Sequence, residues 1–142
     1  MRTSARAALA ATAIALLTLG GGAAASAAPA IPLNNGQEVT GAEGGAHGFF
    51  TYTIEGTQFC YTLSVKRLTA PATAAHVHVA PQGVAGPVVI GLTIPNQESS
   101  ETSACTTVDQ ALLTAIAENP RAYYVNVHTS TYPGGEVRGQ LK

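Results

Sequence analysis

Two neighbouring segments of the chain alternate between large apolar and small polar residues. They run over residues 49–55 and 59–65, and Gly56-Thr57 separates them. A period of two is the geometry of a β-strand with one buried face, and a short glycine-containing break between two such runs predicts an antiparallel hairpin. The residues expected on the buried face are Phe50, Tyr52 and Ile54 in the first segment and Phe59, Tyr61, Leu63 and Val65 in the second.

Further short segments of strand character recur through the rest of the chain. We expect them at residues 31–39, 73–80, 88–94, 99–108, 122–129 and 135–141. Pro32 favours a strand start or an edge position for the first of these. The last is expected to turn Val137 and Leu141 inward and Glu136, Arg138 and Gln140 outward. Residues 99–108 are polar and threonine-rich, which favours an edge strand.

One helix interrupts the strand pattern, at about residues 109–118. Asp109 is a plausible N-cap, Leu112, Leu113 and Ile116 form an apolar stripe, and Asn119-Pro120 ends the helix. Short strands with regular turns and a single short helix predict an all-β fold, an antiparallel β-sandwich of about seven or eight strands.

The first 27 residues have the order of a secretory signal peptide. Arg2 and Arg6 precede an apolar run at residues 7–19, and Ala25-Ser26-Ala27 offers a cleavage site between small residues. We therefore predict a signal peptide at 1–27, a short segment at 28–32 and one domain at 33–142, secreted outside the cell. An uncleaved anchor is the alternative, and the glycines at 20–22 disfavour it. No later hydrophobic span follows, so we expect no membrane span after cleavage.

The net charge and the cysteines indicate which partners and which compartment to expect. Loss of Arg2 and Arg6 would leave five basic and eight acidic residues, a net charge of −3, which argues against a nucleic-acid partner. The two cysteines, Cys60 and Cys105, both lie in the exported part. In an oxidising compartment the default for such a pair is one disulfide bond.

Three histidines are the strongest candidates for a functional site. His76 and His78 share one face of a predicted strand, and His128 lies beside Asn126 on the non-core face of another. If the two strands are neighbours, three imidazoles meet and suit copper or zinc. Glu136 is then a fourth ligand or an acceptor that orients a histidine.

The alternative is a hydrogen-bonded brace, in which the imidazoles are tied to Asn126, Glu136 or backbone carbonyls. In the same way, Glu136 and Arg138 are interpreted as a cross-strand ion-pair network rather than as catalytic groups. The chain has no Gly-x-Ser-x-Gly elbow and no acid spaced for a triad, so we do not expect an enzyme. A small metal-dependent redox enzyme is the less favoured alternative.

Several motifs together resemble the CHRD domain, first described in the extracellular protein chordin and common in secreted bacterial proteins. They span Leu33 to Leu141 and comprise Glu38-Val39, Ala75-His76-Val77-His78, Gly83 to Val88, Tyr124-Val125-Asn126-Val127-His128-Thr129 and Gly135-Glu136-Val137-Arg138-Gly139-Gln140-Leu141. The resemblance implies a secreted, single-domain bacterial β-sandwich module, whereas His47 has no fixed counterpart in the family pattern.

The function we expect is a non-catalytic extracellular binding or structural module with a histidine-rich polar sheet face. Its partner would be an extracellular protein or a polysaccharide. The alternative is an extracellular protein that binds copper or zinc through His76, His78 and His128.

Overall fold

The computed structural model describes residues 29–142, so the predicted signal peptide at 1–27 lies outside the described residues. Eight strands, one α-helix and two single-turn 3₁₀ helices follow in the order β1 (Ile31–Asn34), 3₁₀ (Asn35–Gln37), β2 (His47–Glu55), β3 (Gln58–Lys66), β4 (Ala72–Val79), β5 (Val88–Leu92), β6 (Ser100–Thr107), α1 (Gln110–Glu118), 3₁₀ (Pro120–Ala122), β7 (Tyr123–Thr129) and β8 (Val137–Gln140). All the strand pairs are antiparallel, which confirms the predicted all-β class.

The strands form one hydrogen-bonded sheet in the order β5-β4-β7-β8-β1-β2-β3-β6, nearly closed on itself. The halves of the sandwich are therefore continuous through β8 and β1. The edge strands β5 and β6 are consecutive in the chain, and the segment between them is fastened to the opposite half. There, the Tyr61 hydroxyl accepts a hydrogen bond from the Thr93 N–H at 2.6 Å, and the Leu68 N–H donates to the Glu98 carbonyl at 3.0 Å.

The predicted hairpin is formed by β2 and β3, which pair without a break from Glu55↔Gln58 to His47↔Lys66. Gly56 turns the chain with φ +58°, in the left-handed region that glycine adopts without strain. The apolar face of the hairpin lies in the core as expected, with Phe50 and Phe59 fully buried. The Tyr52 and Phe59 rings stack with their centroids 5.2 Å apart.

The helix and the edge strand β6 also form where the sequence predicts them. Asp109 caps α1, because its Oδ1 accepts a hydrogen bond from the Ala111 N–H at 2.8 Å. Leu113 and Ile116 are fully buried in the core. By contrast, β1 is a central strand between β8 and β2, and Pro32 is tolerated because it lies at the start of that strand. Among residues 29–142, no helix is both long and apolar enough to cross a membrane.

Both faces of β7 are buried along its whole length. One face carries Tyr123, Val125 and Val127 into the apolar core. On the opposite face lies a second, polar layer, made of His76, His78, Tyr124, Asn126, His128, Glu136, Arg138 and Gln140. Glu136 and Arg138 lie on the face opposite the apolar core, as expected. They do not reach solvent, however, since they are 0% and 1% exposed.

Three connecting segments cover the polar layer by hydrogen bonding to it. Residues 35–43 cover the end of the polar layer that precedes β8, where Asn35 Nδ2 donates to the Glu136 carbonyl at 2.9 Å. Residues 80–87 receive two bonds from Arg138, which donates to the carbonyls of Pro81 at 2.9 Å and Val84 at 2.8 Å. Residues 130–135 turn back over His128. Because these covers are irregular loops, strand alternation alone does not reveal them.

A disulfide joins Cys60 to Cys105, as the cysteine count predicts. The two residues face each other directly in the β3–β6 pair, with their Cα atoms 4.0 Å apart. The bond therefore ties the edge strand β6 to the hairpin across 45 residues of sequence.

We expect the Cys60→Ser/Cys105→Ser variant to lose about 2–4 kcal/mol of unfolding free energy, because the disulfide restricts the unfolded chain. Urea denaturation of the oxidised protein and of the variant measures the difference. Equal midpoints and equal slopes in the two proteins would show that the β3–β6 pairing does not depend on the disulfide.

Candidate metal centre

Antiparallel pairing of β4 with β7 brings the three candidate histidines together. The register sets Ala74 opposite His128, His76 opposite Asn126 and His78 opposite Tyr124. His128 is thus the diagonal neighbour of His76 on the polar face, and side chains in that relation are within reach of each other. The strands on which the sequence places the histidines are therefore neighbours, as the metal hypothesis requires.

The three imidazoles form a compact triangle. Their ring centroids are separated by 4.9 Å for His76–His128, 5.6 Å for His76–His78 and 5.9 Å for His78–His128. One nitrogen from each ring can be chosen so that all three lie within 4.8 Å of one another. His76 Nδ1 and His128 Nε2 are 3.0 Å apart. Two nitrogens bound to one tetrahedral zinc ion would be about 3.3–3.4 Å apart, so this pair would have to separate slightly to bind one ion.

Backbone carbonyls fix the proton on two of these rings. His78 Nδ1 lies 2.8 Å from the Gly86 carbonyl, and His128 Nδ1 lies 2.9 Å from the Pro133 carbonyl. A carbonyl oxygen only accepts, so each Nδ1 must carry the proton and donate. In the neutral ring each Nε2 is then an acceptor. His128 Nε2 accepts a hydrogen bond from His76 Nδ1 at 3.0 Å, while His78 Nε2 is buried and has no hydrogen-bond partner among the described residues.

Burial also favours the neutral form of His76 and His128. It lowers the pKa of His76, and the neighbouring His78 lowers that pKa further. Burial likewise lowers the pKa of His128. The hydrogen bond to the Pro133 carbonyl opposes this shift, and the neighbouring His76 and His78 add smaller contributions that lower the pKa. Neutral imidazole is the form that ligates a metal, so the lowered pKa values of these two rings favour binding near neutral pH.

Tyr124 connects the histidine cluster to Arg138. Its ring stacks on the His78 imidazole with centroids 4.7 Å apart and planes 7° apart. The Arg138 guanidinium carbon lies 3.4 Å from the centre of the same ring, a close cation–π contact. The Tyr124 hydroxyl accepts a hydrogen bond from the Gly86 N–H at 3.2 Å, so the residue that orients His78 is itself held by Tyr124.

Sequence reasoning missed the roles of Gly86, Pro133 and Tyr124. Both carbonyls come from loop residues whose side chains carry no chemical pattern, and a backbone acceptor leaves no mark in a single sequence. Gly86 does leave a mark in the sequence, because a Cβ at this position would overlap the Val79 carbonyl oxygen and only glycine fits. Its place in the Gly83 to Val88 motif was the only indication that the loop approaches the strand this closely.

Glu136 does not join the histidines. Its carboxylate accepts hydrogen bonds from the Thr69 N–H at 2.8 Å, the Thr69 hydroxyl at 3.0 Å and the Thr129 hydroxyl at 2.7 Å. Neither role that the sequence suggested for Glu136, a ligand or an acceptor for a histidine, agrees with these contacts. The predicted ion-pair network is also wrong, since Glu136 and Arg138, both described, bond to other groups. Glu136 instead fastens the connector after β3 to the end of β7.

Beside the histidines, the polar layer contains buried polar atoms without hydrogen-bond partners among the described residues. They are both side-chain atoms of Asn126, Nε of Arg138 and Oε1 of Glu38. Burial raises the pKa of Glu38, and the nearby Asn126 amide and Arg138 charge partly oppose that shift. Asn126 is thus close enough to influence the carboxyl group without reaching hydrogen-bond geometry.

The fold and the site define a small all-β module whose buried polar face carries a cluster of histidines. Residues 30–141 match the sequence profile of the CHRD domain, nearly all of the described chain. The chain therefore belongs to the CHRD domain family, as its motifs suggested. No curated protein and no solved structure matched the chain.

The lowered histidine pKa values predict that the metal-free protein loses stability on acidification. The unfolded chain binds these protons more readily, so the histidine contribution is complete above the unfolded pKa of about 6.5 and is lost as pH falls through the lowered folded values. The raised pKa of Glu38 acts in the opposite direction, because its contribution is lost as pH rises. Urea denaturation between about pH 8 and pH 5 should show the fall.

The slope of that fall should be smaller in His128→Asn, which removes one of the two shifted groups. His47→Asn is the matched control, because it removes an exposed histidine outside the cluster. An equal slope in His128→Asn and in the unsubstituted protein would contradict the assignment.

Glu136→Gln should lower the unfolding free energy by about 1–3 kcal/mol, because an amide NH₂ replaces one of the buried acceptor oxygens facing Thr69 and Thr129. Its affinity for a metal should stay unchanged, since the carboxylate bonds to Thr69 and Thr129 and not to a histidine. Urea denaturation gives the first quantity and calorimetric titration with Zn²⁺ the second. A tenfold loss of Zn²⁺ affinity in the folded variant would restore Glu136 as a ligand.

Proposed function

We propose that this CHRD domain binds one copper or zinc ion through His76, His78 and His128, and that it does so outside the cell. The observation that carries the proposal is the tautomer arrangement. Two of the rings are anchored through Nδ1 to the carbonyls of Gly86 and Pro133. Histidine ligands in metal sites are oriented in this way, with the second ring nitrogen donating to a carbonyl or carboxylate.

The competing interpretation, a purely structural brace, accounts for less of the site. It explains the two Nδ1 bonds and the His76–His128 hydrogen bond, but it leaves the buried Nε2 of His78 without a partner. An unpaired buried acceptor costs free energy. Of the partners that the brace offered, backbone carbonyls hold His78 and His128, whereas Glu136 bonds to threonines. A metal ion would use the lone pair of His78 Nε2 that the brace leaves unpaired, and it would replace the His76–His128 hydrogen bond.

The donor atoms select the class of metal. Three imidazole nitrogens suit Cu²⁺ and Zn²⁺, whereas Mg²⁺ and Ca²⁺ require oxygen ligands. Among the described residues, the group of side chains that could hold an ion consists of three histidines, without a cysteine or an acidic residue. We therefore propose a transition-metal site and not a calcium site.

The Cys60–Cys105 disulfide supports the proposed location, because such bonds persist in oxidising compartments. The pattern at residues 1–27 supports it independently, since it is typical of a secretory signal peptide. We propose a role in binding rather than in catalysis. Glu136, for which the sequence already disfavoured a catalytic role, is bound to Thr69 and Thr129.

Thermal melts of the oxidised protein with Cu²⁺, Zn²⁺ or a chelator test the proposal. A ligand that binds only the folded state, present at a hundred times its Kd, adds about 2.7 kcal/mol, which should raise Tm by roughly 10 °C. His78→Ala should abolish the metal-dependent part of the rise, whatever the substitution does to the melt in chelator.

His47→Ala is the matched control, because His47 is exposed and lies outside the cluster. It should keep the full metal-dependent rise in Tm. A rise that survives in His78→Ala, or melts that do not differ between metal and chelator, would contradict the proposal and return the histidines to the role of a brace.

A further inference from the structure

Strand β6 leaves one of its two edges without a partner. It ends the sheet, so among residues 29–142 no strand pairs with its second edge. Natural edge strands commonly carry a proline, a lysine, an inward-pointing charge or a β-bulge, which keeps other chains from pairing with them. Residues 100–107 contain a single charge, on the exposed Glu101, and pair with β3 without a register shift. The other edge strand, β5, is shorter and lies beside a bulge at Val77/His78.

The hydrogen bonds between β3 and β6 determine which backbone groups of β6 face the free edge. The Val108 N–H donates to the Thr57 carbonyl at 2.9 Å, so these two residues form a hydrogen-bonded pair next to the strand pairing. Hydrogen-bonded and non-hydrogen-bonded pairs alternate along antiparallel strands, with Cα separations of about 5.5 and 4.5 Å. Alternation makes Cys60–Cys105 a non-hydrogen-bonded pair, in agreement with its Cα separation of 4.0 Å. The backbone N–H and carbonyl groups that point away from β3 therefore belong to Glu101, Ser103, Cys105 and Thr107.

The spacing of these outward groups lets two copies of β6 pair with each other. When the copies run antiparallel about a two-fold axis between their Ala104 residues, Glu101 faces Thr107 of the second copy. Ser103 then faces Cys105 of the second copy. Each facing pair exchanges two backbone hydrogen bonds, which gives about eight in all. A shift of two residues in either direction leaves Glu101 or Thr107 of each copy outside the pairing, so this register uses the edge most fully.

The side chains and their charges suit the same register. Gln58 Nε2 donates to Thr107 Oγ1 at 2.8 Å, so the Thr107 hydroxyl keeps its own proton to donate to Glu101 of the second copy. The two Glu101 carboxylates lie at opposite ends of the pairing, about 20 Å apart, where their repulsion is screened. Ala104 faces its own copy in a non-hydrogen-bonded pair, where side chains approach most closely and a methyl group fits.

We infer that the protein forms a two-fold symmetric dimer by antiparallel pairing of β6 with β6 of a second copy. The disulfide favours this association, because it holds Cys105, in the middle of the free edge, against β3 before a second copy arrives. A strand that is already ordered loses less conformational entropy on pairing than a flexible segment does. The inference is independent of the proposed metal site, since the three histidines lie on β4 and β7.

Sedimentation equilibrium of the oxidised protein in chelator, at concentrations from roughly 10 µM to 1 mM, tests the inference. A reversible equilibrium between monomer and dimer is expected. Ser103→Pro should abolish the dimer, because it removes an N–H that points to the second copy. The Ser103 N–H does not bond to β3, and edge strands tolerate proline at such positions, so circular dichroism should show an unchanged fold. A monomer at every concentration, association into larger species, or a dimer that survives Ser103→Pro would overturn the inference.

Thr107→Glu tests the register of the two strands without a proline. It sets a carboxylate opposite Glu101 of the other copy at both ends of the pairing and should weaken dimerisation about tenfold. Thr53→Glu is the matched control, because it makes the same charge change at an exposed position of β2, away from the edge. The double variant Glu101→Lys/Thr107→Glu should regain the affinity, since opposite charges then face each other. Equal weakening by the two single substitutions, or no recovery in the double variant, would refute this pairing.

Discussion

The structure depends on burying both faces of β7, an interior strand of the sheet. A strand buried on one face can leave its polar residues to water, but β7 cannot. Each polar group on its second face therefore needs a protein partner, or the fold loses free energy. The neighbouring strands and the covering loops supply these partners for Tyr124, His128 and the adjacent Glu136. Asn126 is left without one, and it lies directly opposite His76.

The covering loops and the histidines stabilise each other. Gly86 and Pro133 accept hydrogen bonds from His78 and His128, so the same contacts that close the loops over the layer also orient the rings. Arg138 extends this arrangement, because it bonds to the carbonyls of Pro81 and Val84 while lying against Tyr124. The histidine geometry is thus set by the fold before any ion is bound. Such preorganisation lowers the cost of ordering ligands around a metal.

Local pattern was enough to predict the strands and the faces of their side chains. The alternation at residues 49–65 predicted the hairpin and its core face, and the spacing of His76 and His78 placed both rings on one side of β4. What a single sequence does not contain is which distant strands are neighbours. The contact between His76 and His128 spans 52 residues, and that between Thr69 and Glu136 spans 67. Without a register for β8, Glu136 was assigned to the histidines when its partners were two threonines.

X-ray absorption spectroscopy of the zinc-loaded protein would test the central claim most directly, because it counts the ligand atoms and gives their distances. The account predicts three imidazole nitrogens at about 2.0–2.1 Å from the ion. A first shell made of oxygen atoms, or one with a single imidazole, would show that the three histidines do not form a metal centre. They would then serve only to hold the loops of residues 80–87 and 130–135 over the sheet.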